Sequence, residues 1–349
     1  MKGRIELNMA HILVEALRGA RTESLHRGHI AVVNTNHELI ASAGDSAYYT
    51  FARSTAKPLQ AIPLLEIDGE LHFQLNDKMI ALLCASHNGE DAHAELANEI
   101  LHQLGLDENA LQCGVHEPFH IPTANRLKEA GIPLTPLRNN CSGKHSGMLA
   151  LSRLLELSTG STIEPYISNS HPVQLRMLDI IAYMCGVPAD QISLGTDGCG
   201  VPVFAVPLES LGYAYARLGK PEGLPEQRAQ ACRRIVQAII RQPYYLAGSD
   251  RFDTRLIEVT QGRIIGKMGA EGMFAFTIPE KGWGAAVKIE DGAMRAIYPA
   301  VMETLIQLDM LRKEEILLLE EFYHPKVLNC HNEVVGEIRP LLKLSRFTS

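Results

Sequence analysis

Three short stretches hold residues that can attack a carbonyl carbon and move a proton. Arg53-Ser54-Thr55-Ala56-Lys57 sets a Ser and a Lys three residues apart. On a helix, side chains at i and i+3 are neighbours, so the amine can meet the hydroxyl. A serine hydroxyl is a weak nucleophile until a neighbour takes its proton, and a lysine of lowered pKa can do so. A free Lys titrates at about 10.4, so work near pH 7 needs a fall of about 3 units, roughly 4 kcal/mol. Burial and a second ammonium nearby both push that way. Cys84-Ala85-Ser86-His87-Asn88-Gly89 ends an apolar run with a hydroxyl and an amide. Gly266-Lys267-Met268-Gly269 sets a Lys among glycines, where a ligand can approach the backbone. Singly, these are a capping serine, a turn after a helix and a surface lysine. Two more stretches, 138–148 and 195–202, are dense in Gly and reactive side chains, which is poor core material.

Strands and helices must position these residues. Segments 29–34 and 37–43 form a hairpin pattern of β-branched and apolar residues around Thr35-Asn36. From about 51 to 250 the pattern is helical, with apolar periodicity over 91–104, 144–157, 172–185 and 225–240. Strand patterns return at 263–267, 273–278 and 284–289, then a long helix over 293–311 and a strand over 333–338. This order predicts an α/β chain of α+β layout. One antiparallel sheet, from residues 1–50 and 255–349, would carry a mainly helical insert, 51–254. The site is expected in the cleft between them.

Composition narrows the function. The chain has 349 residues, 46% hydrophobic and 21% charged, with a net charge of −7. No Lys/Arg cluster suits a phosphate backbone, so nucleic acid is not an expected partner. No apolar run approaches the roughly 20 residues of a membrane span. Residues 1–8 start basic without a secretory core, so a cytoplasmic protein is expected. Seven widely spaced Cys, an odd count without a CxxC pair, point to reduced thiols.

In order, Ser-x-x-Lys, Ser-x-Asn and Lys-x-Gly resemble the motif set of serine β-lactamases and penicillin-binding proteins. There the first Ser is acylated, its Lys accepts the proton, and the second motif shuttles protons. Met268 stands where those enzymes carry Thr or Ser, which disfavours a β-lactam substrate. The run Asn139-Asn140-Cys141-Ser142-Gly143-Lys144-His145-Ser146-Gly147-Met148, with Gly195-Thr196-Asp197-Gly198-Cys199-Gly200, is similar to the rhizobial-type (class 3) L-asparaginases. The resemblance covers about residues 10–340 and implies a β-lactamase/glutaminase-like fold. It also implies a homodimer that hydrolyses L-asparagine to L-aspartate and ammonia.

By the same resemblance, two Ser–Lys pairs carry catalysis: Ser54 with Lys57, and Ser86 with Lys267. Lys288, also on a C-terminal strand, is the alternative partner for Ser86. Zinc is implied on Cys141, Lys144 and Cys199. Coordination chemistry alone would prefer His145 to a Lys, which binds only when deprotonated. Arg53, Asn88, Asp197 and His145 are assigned to substrate. Which serine is acylated stays open. The alternatives are a glutaminase or other small-amide hydrolase of the same fold, and a zinc-binding scaffold without activity.

Overall fold

A computed structural model describes residues 10–159 and 165–347; the opening residues 1–8 lie outside them. Twelve strands form two sheets among the described residues. They are β1 (His11–Arg18), β2 (Arg21–Asn34), β3 (Leu39–Ala43), β4 (Tyr49–Phe51), β5 (Ser193–Thr196), β6 (Pro202–Pro207), β7 (Ile265–Gly269), β8 (Met273–Ile278), β9 (Trp283–Ile289), β10 (Lys326–Leu328), β11 (Val334–Pro340) and β12 (Ser345–Arg346). The large sheet runs β10-β11-β1-β2-β9-β8-β7, and β3 joins β2 to β12. Its paired strands are antiparallel. The early strands β1–β3 and the late strands β7–β12 therefore meet in one sheet, at the β1–β11, β2–β9 and β3–β12 pairs.

Side-chain alternation divides this sheet between two cores. Ala31, Ala275 and Ala286 face the helical middle of the chain. Ile30, Val32, Phe274, Phe276 and Val287 face the C-terminal helix Met294–Gln307. On the first face lies the helix Leu208–Gly219, close enough for backbones to touch. A Cβ on Gly284 would sit 2.1 Å from the carbonyl oxygen of Gly212. That contact holds the helical layer tight against β9.

The helices match the apolar periodicity closely: Asp91–Gln103, Ser142–Thr159, Pro172–Cys185 and Glu226–Arg241. The helical middle also contains something the periodicity does not mark, a small antiparallel sheet in the order β4-β6-β5. It leads directly into the Ser54 turn, because the amide of Ala52 donates to Phe204 O at 2.9 Å. Among the described residues, no helix is long and apolar enough to cross a membrane.

Candidate active site

The first motif sits on a strained turn. Ser54 lies in the 3-10 turn Arg53–Ala56, which runs into the helix Lys57–Gln60. Arg53 has φ 51°, a left-handed conformation uncommon for a residue with a side chain. Two contacts hold it. Its Nε donates to Asp197 Oδ1 at 3.1 Å, and Tyr215 Oη donates to Thr55 O at 2.7 Å. Asp197 follows β5 directly, so the small sheet delivers it beside Arg53. The part-exposed Ser54 lines a narrow cleft, with room for little more than a water molecule, together with Arg53, Lys57, Lys144 and Asp197.

Lys57 is 1% exposed, and its amine donates to Ala85 O at 2.7 Å, Ser86 Oγ at 2.9 Å, Cys141 Sγ at 3.2 Å and Asn140 O at 3.4 Å. The serine that Lys57 contacts is thus Ser86, whereas local spacing pairs it with Ser54. The reason is burial: an amine carries several donors and no acceptor, so inside the protein it turns to where acceptors converge. The Ser86 turn and the start of helix Ser142–Thr159 supply them. These two segments come together because Gly143 leaves room for Leu82, whose carbonyl oxygen would lie 2.1 Å from a Cβ there.

Lys267, also 1% exposed, donates to Met268 O at 2.7 Å and lies 3.8 Å from Asp253 Oδ1. Burial pulls its pKa from near 10.5 to about 7; Asp253 opposes the fall, and Lys57 and Arg251 add to it. Neither of these two bonds reaches Ser86. Lys288 donates to Glu271 O and Ile289 O, at 2.5 and 2.7 Å. It serves the sheet edge.

Cys141 and Cys199 perturb each other. The Cys199 thiol donates to Cys141, which lowers the Cys141 pKa well below the usual thiol value, with help from Lys57 and Lys144. Cys199 is raised in turn. Lys144 donates to Cys199 Sγ at 2.9 Å, and the thiols and Asp197 outweigh its burial to raise its pKa.

A family model described as L-asparaginase II matches residues 14–340. The chain belongs to the L-asparaginase II family. None of the curated proteins compared with it matches. Among solved structures it is similar to Mglu in its native form, at 14% identity, with 83% of this chain and 66% of that chain covered and a TM-score of 0.46. It is also similar to a β-lactamase from Mycobacterium bovis, at 14% identity, with 85% and 95% covered and a TM-score of 0.37. The chain thus spans 66% of the length of Mglu.

In this L-asparaginase II family member, the cleft residues and the turn residues have separate tasks. Arg53 and Asp197 line the cleft. Asn88 is spent on the protein: Nδ2 donates to Ser249 O at 2.9 Å, and Oδ1 accepts from Arg251 at 2.7 Å. His145 Nδ1 lies 2.7 Å from the Tyr166 hydroxyl. Asp253 and Arg251 join the site without a sequence signal, since an acid and a base at a helix start look like ordinary terminal charges.

The donor set also bears on zinc. Among the described residues no cluster of three His, Cys, Asp or Glu could hold a metal. Once Lys144 is counted, two sulfurs and a nitrogen converge, with Asp197 Oδ2 3.7 Å from Cys199 Sγ. Thiolate sulfur suits zinc, and one ionised thiol is already favoured here. The residues fit the metal, provided Lys144 gives up its proton on binding.

Proposed function

We propose that the chain is an L-asparaginase, hydrolysing L-asparagine to L-aspartate and ammonia through an acyl-serine. The observation that carries this reading is the Lys57 amine, buried 2.9 Å from Ser86 Oγ and lining the same cleft as Ser54. Ser54 attacks the side-chain amide carbon, since it is the serine open to the cleft, and Lys57 takes its proton. Ser86 passes that proton on to the departing nitrogen, and the C–N bond breaks to release ammonia. Water then attacks the ester, Lys57 takes the water proton, and aspartate leaves with Ser54 restored. The Ser54 turn is where backbone N–H donors for the developing oxyanion are sought. Arg53 and Asp197, opposite charges in one cleft, suit the α-carboxylate and α-ammonium of an amino acid. Lys267, whose own pKa the neighbouring Lys57 helps to lower, supplies a second positive charge. Bound zinc would add a Lewis acid held by Cys141, Cys199 and Lys144.

Ammonia release from asparagine and from glutamine tests the reaction. Ser54→Ala is expected to lose at least ~10⁴-fold in kcat, and Ser86→Ala about 10²–10³-fold, as for loss of a proton-transfer group. Comparable activity in Ser54→Ala and wild type would overturn the Ser54 assignment. A covalent adduct trapped on Ser86 by a slow substrate analogue would exchange the two roles. Metal analysis of the purified protein is expected to find zinc, with Cys199→Ser depleted of it. A wild type without zinc and with full activity ends the zinc reading.

A further inference from the structure

The segment from Gly248 to Asp253 touches both the Ser86 turn and the Lys267 strand. The amide and hydroxyl of Ser249 each donate to Glu90 at 2.9 Å, and its carbonyl accepts from Asn88. Arg251 donates to Asn88 Oδ1 at 2.7 Å. The helix Phe252–Val259 then starts, its Phe252 seated among Phe274, Tyr298 and Phe322. Asp253 points the other way. It has no exposed surface, accepts the Met268 N–H on Oδ1 at 2.6 Å, and lies 3.8 Å from Lys267 Nζ through the same oxygen. Its Oδ2 is buried without a hydrogen-bond partner among the described residues. A fully buried carboxylate with a free oxygen is costly, and it persists where a nearby cation offsets it.

We propose that Asp253 is the positioning residue for Lys267: it is the buried counter-ion that fixes the lysine on β7 and opposes the loss of its charge. One carboxylate oxygen serves two purposes. It clamps the backbone at Met268, which sets where the Lys267 side chain leaves the strand, and it faces the amine. Arg251, two residues earlier, fixes the Ser86 turn from the same helix start. The helix therefore sets the register between the second and third motifs. The other groups near Lys267 are Lys57 on the first motif helix, Arg251, Cys141 and Cys84. Asp253 is the carboxylate among them. Tyr215 and Tyr298 face Asp253 and stay neutral, their pKa values raised by burial.

The catalytic part of this inference rests on the asparaginase reading; the counter-ion part does not. Asp253→Asn keeps an acceptor for Met268 and removes the charge. If protonated Lys267 assists departure of ammonia, kcat falls as pH rises through the Lys267 pKa. Asp253→Asn is then expected to move that alkaline limb down by about one pH unit or more, since an opposite charge favours the protonated amine. KM should hold while kcat falls. In a Lys267→Arg background the limb should be absent, and Asp253→Asn should move nothing further. An unmoved limb in Asp253→Asn, or a limb that still moves in the Lys267→Arg background, overturns the proposal. Thermal unfolding judges the counter-ion role without turnover. Lys267→Met strands the carboxylate, so adding Asp253→Asn should raise Tm above that of Lys267→Met alone. A lower Tm in the double variant overturns it. Inactive wild type would end the asparaginase reading and leave the Tm result standing.

Discussion

Lys57 and Lys267 are each 1% exposed, yet they live in opposite surroundings. Lys57 has four acceptors, two of them side chains that could take part in chemistry. Lys267 has one carbonyl and one carboxylate, and that carboxylate sits beyond hydrogen-bond length. Burial is the same; hydrogen bonding is not. A well-bonded amine is held in one place, while a poorly bonded one has its charge set by desolvation and one counter-ion. In the asparaginase reading proposed above, the pair therefore divides the work between a fixed proton carrier and a tunable charge.

The largest effect that probes this division is Lys57→Met. It removes the donor to Ala85 O, Ser86 Oγ and Cys141 Sγ together, and leaves buried acceptors bare. Leaving a buried acceptor without its partner costs about 1–3 kcal/mol. Loss of the base should cost about 10²–10⁴-fold in kcat. Chemical denaturation and ammonia release on the same samples check both. A variant that keeps stability but loses activity would mean the network is catalytic and adds no rigidity.

A smaller effect comes from the pH dependence of stability. Lys267 titrates at about 7 in the folded chain and near 10.5 ordinarily. Between those values the unfolded chain holds a proton that the folded chain lacks, so this group's contribution rises with pH. It is lowest below pH 7 and levels off above about 10.5. The slope is about 1.4 kcal/mol per pH unit at most. The Lys267→Met/Asp253→Asn variant should lose this rise between pH 7 and 9, read as the difference in urea midpoint from wild type. A parallel pair of curves would place the titration elsewhere.

Much of this comparison could be read before any coordinates. Helix Pro172–Cys185 falls where an apolar repeat of 3.6 places it, and strand Met273–Ile278 where a short continuous apolar run between turn signals places a buried strand. The motif residues Ser54, Lys57, Ser86 and Lys267 stand out by type, spacing and order, whereas Cys141, Lys144 and Cys199 are singled out only by the family resemblance. What spacing could not show is which partner each lysine takes. The Lys57–Ser86 contact joins residues 29 apart and depends on how two helices pack around Gly143. The small sheet was hidden because β5, Ser193–Thr196, is short, polar and exposed. Asp253 was hidden because its role depends on a strand that follows later in the chain.

The smallest predicted effect concerns Lys288, the other lysine on a late strand. On the sheet, Lys288 opposes Met273, and Lys267 opposes Ala275. That places Lys288 one same-face step along and two strands across, roughly 10–12 Å away between Cα atoms. Its amine is taken up by Glu271 O and Ile289 O at the end of the sheet. Lys288→Met should therefore cost about 1–2 kcal/mol of stability through two lost hydrogen bonds. Its kcat should stay within about threefold of wild type, since a group outside the reacting set contributes little to the barrier. Steady-state kinetics beside Lys267→Met decides between the two lysines. If Lys288→Met is the more damaging of the pair, Lys288 and not Lys267 carries the second positive charge, and the comparison with Lys57 has to be redrawn around the sheet edge.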